Sequence, residues 1–475
     1  MRLEIPFIGP SYQARSVGAS AQRAVNCYLE IGRDGAKNVL YGTEGLKPVV
    51  PLGRGPVRGA IVAGGYAWFV SYNHVYRVAA DYSFTDIGII QTSDGPIGIE
   101  ANALQILIVD GLTGYIIDLA TSTLQAISDP DFPNGVTVCT FQDGFFLVAG
   151  NGTGQFFINQ SPNDGLAWNG TDFASAEGSP DSVTAIISDH REVWILGGDS
   201  AEIWVNTGNS SFPFERSGNA FIEHGIAAPG TLTKLDNTVF WLSSDSRGSG
   251  LVYRASGYTP ERISTHAIEE QIGRYSTIAD AFAFTYQRGG HSFYVLTFPT
   301  GNQTWVYDVA TNEWHERAAF DTNSGLLGRW RPSCHVFFNN KHLVGDSSLG
   351  NVYELDENTY TDNGEPIKRL RSTMSISNLQ FRQFYSMLQV MMDTGVGIET
   401  GQGIDPKLIL RYSDDYGNTW SNYRTSEIGK IGEYGRRAKF NRLGSGRNRV
   451  WEISMTDPVK FAVFNAVIEY ENGYA

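Results

Sequence analysis

The sequence predicts an all-β chain: a six- or seven-bladed β-propeller, followed by a C-terminal β-sandwich and preceded by an N-terminal arm. Three observations lead to this prediction: a unit that repeats seven times, a composition suited to strands and turns, and a change of rhythm after Asp356. Successive repeats start roughly 38 to 53 residues apart, which is the length of a four-stranded propeller blade. Leucine-rich and ankyrin repeats are shorter than this.

Each repeat consists of a tight polar or glycine turn, an aromatic-rich strand, a second turn and an apolar strand. The first strands of the seven units are Gly64–Val70, Leu104–Val109, Asp143–Val148, Arg191–Leu196, Asn237–Leu242, Gly290–Leu296 and Asn340–Val344. Their partner strands are Val75–Val78, Gly114–Ile117, Phe156–Ile158, Glu202–Val205, Leu251–Arg254, Trp305–Asp308 and Asn351–Glu354.

The composition is that of a globular protein built from strands and turns. Hydrophobic residues make up 41% of the 475 residues and charged residues only 18%, while 53 Gly and 23 Tyr favour turns and strands. No apolar run approaches the roughly 20 residues that cross a bilayer, and the first residues lack the apolar stretch of a signal peptide. We therefore expect synthesis in the cytoplasm and use without secretion.

Neither a metal site nor a cofactor site is predicted. Cys27, Cys139 and Cys334 are odd in number and far apart, so they fit neither a disulfide framework nor a metal-ligand spacing. The eight histidines are scattered, and the closest pair, His335 and His342, does not have a helical metal-binding spacing. The phosphate-binding, nucleophile-elbow, dinucleotide-binding and zinc-protease motifs are all missing, so an enzyme is not the expected class.

The net charge of −14 and the sequence pI near 5.1 argue against a protein that grips duplex DNA with its whole surface. The same charge is compatible with a tube through which DNA moves. Each phosphate that a protein neutralises adds affinity, and therefore friction, so an acidic lining would serve transit.

The chain divides into three predicted parts: an N-terminal arm with a strand leading into the propeller (1–55), the propeller (56–360) and the sandwich (361–475). In the first part, the polar segment Ser11–Arg23 precedes the strand-like Ala24–Glu30. This part could reach a neighbouring chain or supply a strand that closes the propeller ring, and the sequence leaves both open. After a polar linker, longer alternating strands begin at Phe384–Met392, Leu408–Tyr412, Val450–Met455 and Ala462–Tyr470.

A short motif in the third part matches the Asp-box pattern S-x-D-x-G-x-T-W, with residues Ser413, Asp415, Gly417, Thr419 and Trp420. A weaker echo lies at Ser161–Trp168. We interpret the box as a hairpin turn in which the carboxylate accepts backbone N–H groups and the glycine takes a positive φ. An embedded glycosidase would also need paired carboxylates and arginines at the propeller mouth. The spacing singles out none of the residues that could supply them in principle: Glu202, Asp308, Glu354 and Arg254.

A basic stretch stands out in this acidic chain. It comprises Lys430, Arg436, Arg437, Lys439, Arg442, Arg447 and Arg449, with Glu433 as the nearby acid. Phosphate contact, a salt-bridged face against a neighbouring subunit and a merely solvated face are all compatible with it. The excess of Asp and Glu elsewhere in the chain favours the subunit contact.

Several short segments resemble the podophage tail accessory family, also called packaged-DNA stabilisation proteins. The similar segments are Gln22–Glu30, Tyr41–Leu46 and Gly55–Gly59 near the start, Glu202–Val205, Thr207–Gly208 and Gly225–Ala227 in the middle, and Arg436–Gly444, Val450–Ile453 and Pro458–Lys460 near the end. The resemblance covers nearly the whole chain. Cys27 and Glu44 depart from the family pattern, in which an apolar residue and a proline are more usual.

The resemblance implies a virion structural protein below the portal and head-completion ring of a short-tailed phage. In that family six copies form a tube that extends the DNA channel, retains packaged DNA and holds the tail needle or tip, with tailspikes nearby. It implies no cofactor and no sequence readout of the transiting DNA. We expect subunit or neck contacts at Gln22, Arg23, Asn26 and Tyr28 and at the basic residues Arg436, Arg437, Lys439, Arg442, Arg447 and Arg449.

Two other classes remain compatible with the sequence. A glycan-binding or glycan-cleaving propeller would act on bacterial surface polysaccharide or sialosides. A host-recognition tail fibre is less favoured, because such proteins usually carry trimeric β-helical or coiled-coil repeats, and the sequence shows neither.

Overall fold

Four-stranded antiparallel sheets follow one another around a ring in the larger of two β-domains. The computed structural model describes residues 1–33, 36–176, 178–244 and 250–473. Six sheets, blades 1 to 6, are each built from four consecutive strands within these residues. Blade 1 comprises Val57–Ala63, Tyr66–Ser71, His74–Val78 and Phe84–Ile89; blade 2 comprises Gly98–Ala101, Gln105–Val109, Gly114–Asp118 and Thr123–Ala126; blade 3 comprises Val138–Gln142, Phe145–Ala149, Gln155–Ser161 and Asp164–Ser175.

The second half of the ring continues the same order. Blade 4 comprises Ala185–Asp189, Glu192–Leu196, Ala201–Asn206 and Phe214–Ile222; blade 5 comprises Thr233–Leu235, Thr238–Ser244, Gly250–Ser256 and Thr259–Arg262; blade 6 comprises Phe282–Arg288, His291–Phe298, Gln303–Asp308 and Glu313–Phe320. A short 3₁₀ helix, Pro229–Thr231, precedes blade 5. The helix His266–Ile272 follows that blade, and the hydroxyl of Thr265 caps its first turn.

A seventh, composite sheet closes the ring. Three of its strands are Pro332–Phe338, Lys341–Asp346 and Asn351–Asp356, and the fourth is Gly45–Pro51 from the N-terminal part of the chain. Two short strands, Thr361–Asp362 and Glu365–Pro366, extend this sheet. The first strand of blade 1 lies against Pro332–Phe338, so the ends of the propeller meet. The N-terminal part of the chain therefore supplies the closing strand.

The turn between the first two strands of a blade has a recurrent geometry. Two-residue turns with positive φ at both residues match the right-handed twist of a hairpin. Within the described residues this geometry occurs at Gly64–Gly65, Asp143–Gly144, His190–Arg191, Asp236–Asn237, Gly289–Gly290 and Asn339–Asn340. Blade 2 differs, because Asn102 Oδ1 there accepts hydrogen bonds from the N–H groups of Leu104 and Gln105 in a longer turn. These are the turns that the repeats predict.

The second domain is a β-sandwich, as predicted. One of its sheets contains Arg2–Glu4, Cys27–Glu30, Val39–Gly42, Gln383–Met392, Ala438–Asn441, Ser445–Gly446 and Ala462–Asn472. The facing sheet contains Ala24–Val25, Arg369–Ser372, Ile376–Ser377, Lys407–Ser413, Arg424–Glu427 and Asn448–Met455. Their inner faces form one apolar core that includes Leu388, Leu410, Trp451, Ile453 and Val463.

The two domains share a continuous sheet. Val25 pairs with Glu316 in the outer strand of blade 6 and also with Leu370 in the sandwich. The sheet of blade 6 therefore runs through Ala24–Val25 into the sandwich, and the first 55 residues contribute strands to both domains. Three more short strands complete the set: Tyr12–Gln13, Ala21–Gln22 and Leu327–Arg329. Among the helices of the described residues, none is long and apolar enough to cross a membrane.

Candidate functional site

Arg23 and Gln22, two predicted contact residues, lie where blade 6 meets the sandwich. We call this region the seam; it is formed by Ala24–Val25, Glu313–Phe320 and Arg369–Ser372. The guanidinium of Arg23 donates to both carboxylate oxygens of Glu316, at 2.6 and 3.0 Å, and this partner holds the pKa of Arg23 above its usual range. Gln22 Oε1 accepts a hydrogen bond from Arg371 at 2.8 Å. Both side chains thus hold the two domains together within one chain.

Asn26 and Tyr28 occupy the same seam. The amide of Asn26 donates to the carbonyl oxygens of Ala318 and Lys368 at 2.9 and 3.0 Å, and its Oδ1 accepts from the N–H of Ala318 at 2.9 Å. Asn26 is only 1% exposed, so its side chain is not available to another chain in this structure. The half-buried ring of Tyr28 lies edge-on to His291, with centroids 5.1 Å apart.

A buried ionic cluster, which no sequence motif indicates, lies next to the seam. Arg317 donates to Glu44 at 3.1 Å, and Tyr286 donates to the same carboxylate oxygen at 2.7 Å. Burial opposes the ionisation of Glu44, but Arg317 and Tyr286 outweigh burial and lower the pKa of this carboxyl to about 2. The Arg317 guanidinium also stacks 3.7 Å from the centre of the Trp330 ring.

Cys27, the other residue that departs from the family pattern, is fully buried in the sandwich core. Burial raises the pKa of its thiol to about 12, so the group stays neutral at physiological pH. Cys27 acts there as a small apolar residue.

The basic stretch divides into an exposed part and a buried part. Arg437, Lys439, Arg442 and Arg447 are exposed along the edge strand of the first sandwich sheet, around Ala438–Asn441. Arg436 is exposed too, but Glu433 holds it at 3.1 Å, and Lys430 lies in the adjoining loop. Because Arg382 lies beside this edge, with its guanidinium 3.0 Å from Ser445 Oγ, we call Arg382, Arg437, Lys439, Arg442 and Arg447 the basic edge.

Arg449 is not part of that surface. Its side chain is buried, and it forms a two-pronged ion pair with Asp414 at 2.6 and 2.8 Å. The guanidinium lies 3.8 Å from the ring centre of Tyr412 and also contacts Tyr385. Within the chain, Arg449 therefore has a structural role in the sandwich.

The Asp-box residues form a turn after strand Lys407–Ser413. Asp415 accepts hydrogen bonds from the N–H and hydroxyl of Thr419 at 2.8 and 2.6 Å and from Ser413 at 2.7 Å. These bonds, led by the Thr419 hydroxyl, lower the pKa of Asp415 to about 2. Gly417 has a φ of +97°, and the Trp420 ring lies beneath it and stacks on Arg411. Every partner of the carboxylate belongs to the turn itself.

Each carboxylate considered for a propeller-mouth site is engaged by a side chain of its own blade. Glu202 is buried and accepts from Trp204 Nε1 at 3.0 Å, Asp308 bonds His291 at 2.7 Å, and Glu354 pairs with Lys341 at 2.8 Å. Arg254 pairs with Glu261 within blade 5. Each lies in a different blade with its own local partner. In the part of the chain that the structure describes, no three His, Cys, Asp or Glu side chains are arranged to hold a metal ion.

Comparison with protein families assigns both domains. Residues 22–360 match the family described as bacteriophage P22 Gp10, β-propeller, and residues 378–471 match the family described as bacteriophage P22 Gp10, β-sandwich. The chain belongs to the bacteriophage P22 Gp10 family. Gp10-family proteins are structural tail and stabilisation proteins of the phage virion. The family resemblance and the two-domain fold predicted from the sequence are thereby confirmed.

Two solved structures are similar to this Gp10-family chain at low sequence identity. The N-terminal domain of Nup159 is 10% identical, with a TM-score of 0.43, and covers 68% of this chain and 97% of its own. The Pan2 WD40 domain of Neurospora crassa is 9% identical, with a TM-score of 0.42, and covers 66% of this chain and 95% of its own. No curated protein matches the chain.

The distribution of charge along this Gp10-family chain is uneven, and no motif indicates it. Residues 78–190, which span most of blades 1 to 3, contain 14 Asp and Glu and no Lys or Arg. We call this region the acidic lobe. Its charge of −14 equals that of the whole chain, so the remaining residues carry 36 acidic and 36 basic side chains. A count of charge along the sequence would have found it, whereas a search for ligand spacings could not.

Proposed function

We propose that this chain forms a ring below the portal and head-completion protein of a short-tailed phage. There it extends the DNA channel, retains packaged DNA and supports ejection. The observation that carries the proposal is that both domains match the Gp10 family, over residues 22–360 and 378–471. Six copies, made in the host cytoplasm and assembled into the virion tail, would form the ring.

The architecture suits a wall that bears pressure. Blades pack against their neighbours, and the strand Gly45–Pro51 closes the propeller by pairing with Asn351–Asp356. The sheet that continues from blade 6 into the sandwich ties the second domain to the first by backbone hydrogen bonds. Load on either domain is therefore carried by sheets rather than by a flexible linker.

The charge suits passage of DNA without capture. A protein that neutralises few phosphates gains little affinity for the duplex, and its contacts do not depend on sequence. The acidic lobe offers no Lys or Arg along 113 residues. Where it faced the channel, it would repel the phosphate backbone and keep the duplex mobile.

The proposed partners are the head-completion ring above, the tail needle or tip below, and nearby tailspikes. The surfaces available for them include the partly exposed side chains of Gln22, Arg23 and Tyr28 and the basic edge with Arg436. Asn26 and Arg449 are buried within the chain and would support those surfaces from inside. The mechanism is mechanical and electrostatic, with no catalytic step.

The test is complementation of particles that lack only this protein. Purified chain added to such particles should bind them and restore protection of the packaged DNA against nuclease. Chain that neither binds nor protects would contradict the proposal. A glycan array run in parallel would then test the propeller as a carbohydrate-binding protein. The variant for this array is Glu202→Gln, at one of the carboxylates considered for a propeller-mouth site.

A further inference from the structure

The basic edge ends in an exposed apolar cluster, which we call the apolar tip. It consists of Leu379, Phe381 and Phe384, of which Leu379 is 84% exposed and Phe384 is 50% exposed. Leu379 and Gln380 both have positive φ, an unfavourable conformation for these residues that turns the leucine outward. Arg447 fixes this turn by donating to the carbonyl oxygen of Gln380 at 2.6 Å.

The five side chains of the basic edge form no ion pair within the described residues. Arg382 and Arg447 bond neutral oxygens of Ser445 and Gln380, and no carboxylate lies within 4.0 Å of Arg437, Lys439 or Arg442. Glu433, the acid within the basic stretch, holds Arg436. The sandwich thus presents apolar side chains beside uncompensated positive charge.

The acidic lobe carries a surface with the opposite charge. On one face of blades 2 and 3, Leu104 is 58% exposed, and the N–H of Leu119 donates to its carbonyl oxygen at 2.9 Å. Asp118 lies opposite Gln105, whose side chain accepts from the N–H of Gly165 next to Asp164 at 2.8 Å. We call Leu104, Asp118, Asp143 and Asp164 the acidic patch.

Local structure alone does not explain the charge of this patch. Asp118 and Asp164 accept backbone N–H groups in tight turns, a role that asparagine fills equally well. Arg77 of blade 1 reaches this face, where it bonds Ser122 at 2.6 Å and lies over the Tyr66 ring. Asp118 and Asp164 form no ion pair within the described residues, whereas Asp143 pairs with the exposed Arg191 of blade 4 at 3.4 Å.

We propose that the basic edge and apolar tip of one copy dock on the acidic patch of a second copy of this chain. Protein interfaces combine an apolar centre with a charged rim, and charge complementarity fixes which surfaces meet. Leu379 and Phe381 would meet Leu104, while Arg382, Lys439 and Arg442 would face the aspartates. Nucleic acid fits the edge less well, because phosphate contact gives no reason to expose three large apolar side chains there.

The two surfaces lie on different domains, so the contact is head-to-tail. When two copies pair head-to-tail, the pair still has one free basic edge and one free acidic patch. These free surfaces are both occupied only when the copies close into a ring. The inference rests on the proposed ring, because it names the surfaces that join neighbouring subunits. The inference about this contact can fail while the proposed function holds, since contacts with the neck alone could organise the ring on the particle.

The experiment is sedimentation velocity on the purified full chain at about 50 mM and about 500 mM salt. We expect self-association at low salt that weakens at high salt, because exposed charges are screened. Two charge-reversal variants, Lys439→Glu/Arg442→Glu at the edge and Leu104→Lys/Asp164→Lys at the patch, should each weaken association by about tenfold or more. Thermal melting verifies that each variant is folded.

Mixing makes the test specific for a head-to-tail contact. The edge variant keeps its patch and the patch variant keeps its edge, so an equimolar mixture should form dimers and nothing larger. A control with the same change in charge as the edge variant, Lys37→Glu/Arg274→Glu, lies elsewhere on the chain and should associate like the unmodified chain. The proposal is overturned if the unmodified chain stays monomeric at low salt, if the control weakens association as much, or if the mixture forms no dimer.

Discussion

Arg317 and Glu44 form an ion pair of 3.1 Å in which both side chains are buried, and it joins blade 6 to the strand that closes the propeller. Burial of two charges is unfavourable unless each is paired and further hydrogen-bonded. Here Tyr286 donates to the Glu44 carboxylate, Arg317 also donates to the Glu44 carbonyl oxygen, and its guanidinium stacks on Trp330. The pair therefore links the closure of the ring to the seam with the sandwich.

Glu44→Gln should destabilise the chain, because it leaves Arg317 buried without its counter-ion. We expect the free energy of unfolding to fall by about 3 kcal/mol, as measured by urea denaturation at neutral pH. The matched control is Glu357→Gln, which removes the exposed partner of Arg288 and should change stability by about 0.5 kcal/mol or less. Equal effects of the two variants would contradict this role of the pair.

The same pair predicts a pH dependence. The pKa of Glu44 is lowered from 4.5 to about 2 in the folded chain, so its contribution is complete above pH 4.5 and is lost as pH falls through 2. The stability difference between the unmodified chain and Glu44→Gln should therefore narrow below pH 4.5. Thermal melts across this range measure it, and a difference that stays constant would contradict the assignment.

Asp362 should act in the opposite direction. Burial raises the pKa of its carboxyl from 3.8 to about 6, against the opposing effect of Arg317, Arg331 and Arg369. Its Oδ1 accepts no hydrogen bond among the described residues. Ionisation in the folded chain therefore costs stability, and this cost is absent near pH 4 and complete above pH 6.

Asp362→Asn should accordingly raise stability at pH 8 by about 2 kcal/mol and change it little near pH 4. Thermal melts at the two pH values compare the variant with the unmodified chain. A loss of stability at pH 8 would show instead that Arg369, which is fully buried, needs this carboxylate as its counter-ion.

Arg447 and Arg449 provide a matched pair two residues apart. Arg449→Ala removes a buried ion-paired guanidinium and should cost about 3 to 5 kcal/mol. Arg447→Ala removes an exposed side chain and should change stability by about 0.5 kcal/mol. Urea denaturation distinguishes them, and a large effect of Arg447→Ala on the isolated chain would show that the basic edge has a structural role.

Deletion of residues 1–30 should affect the chain itself and not only its partners. It removes the strands Arg2–Glu4, Ala24–Val25 and Cys27–Glu30, deprives Arg371 of the oxygens to which it donates, and leaves Glu316 with Gln303 but without Arg23. We expect a lower melting temperature and an unstable sandwich. A truncated chain that melts like the full one would contradict the seam described above. Neck docking is better tested with Gln22→Ala, which keeps these strands.

The strands that the sequence predicts are those buried on both faces. The predicted pairs, such as Gly64–Val70 with Val75–Val78, are the second and third strands of each sheet, and their apolar runs make them visible. The first and fourth strands are harder to recognise because many of them are partly exposed and lack a continuous apolar run, as in Thr123–Ala126. The positions of these strands are determined by their pairing in the sheet and not by their own composition.

The seam could not be predicted from local patterns. Asn26 bonds Ala318, which is 292 residues away, and its neighbours read as an ordinary strand. Likewise, Arg447 and Arg449 look alike in the sequence, but Arg447 precedes the strand Asn448–Met455 and is exposed, whereas Arg449 lies within that strand and is buried. Residue type identified the basic stretch, and only the fold shows which of its members face outward.

The most direct test of the account is image averaging of particles that lack this protein, before and after the purified chain is added. The account predicts a ring of six copies directly below the head-completion ring, with packaged DNA retained. Particles that remain unchanged, or that carry single copies away from the channel axis, would contradict it.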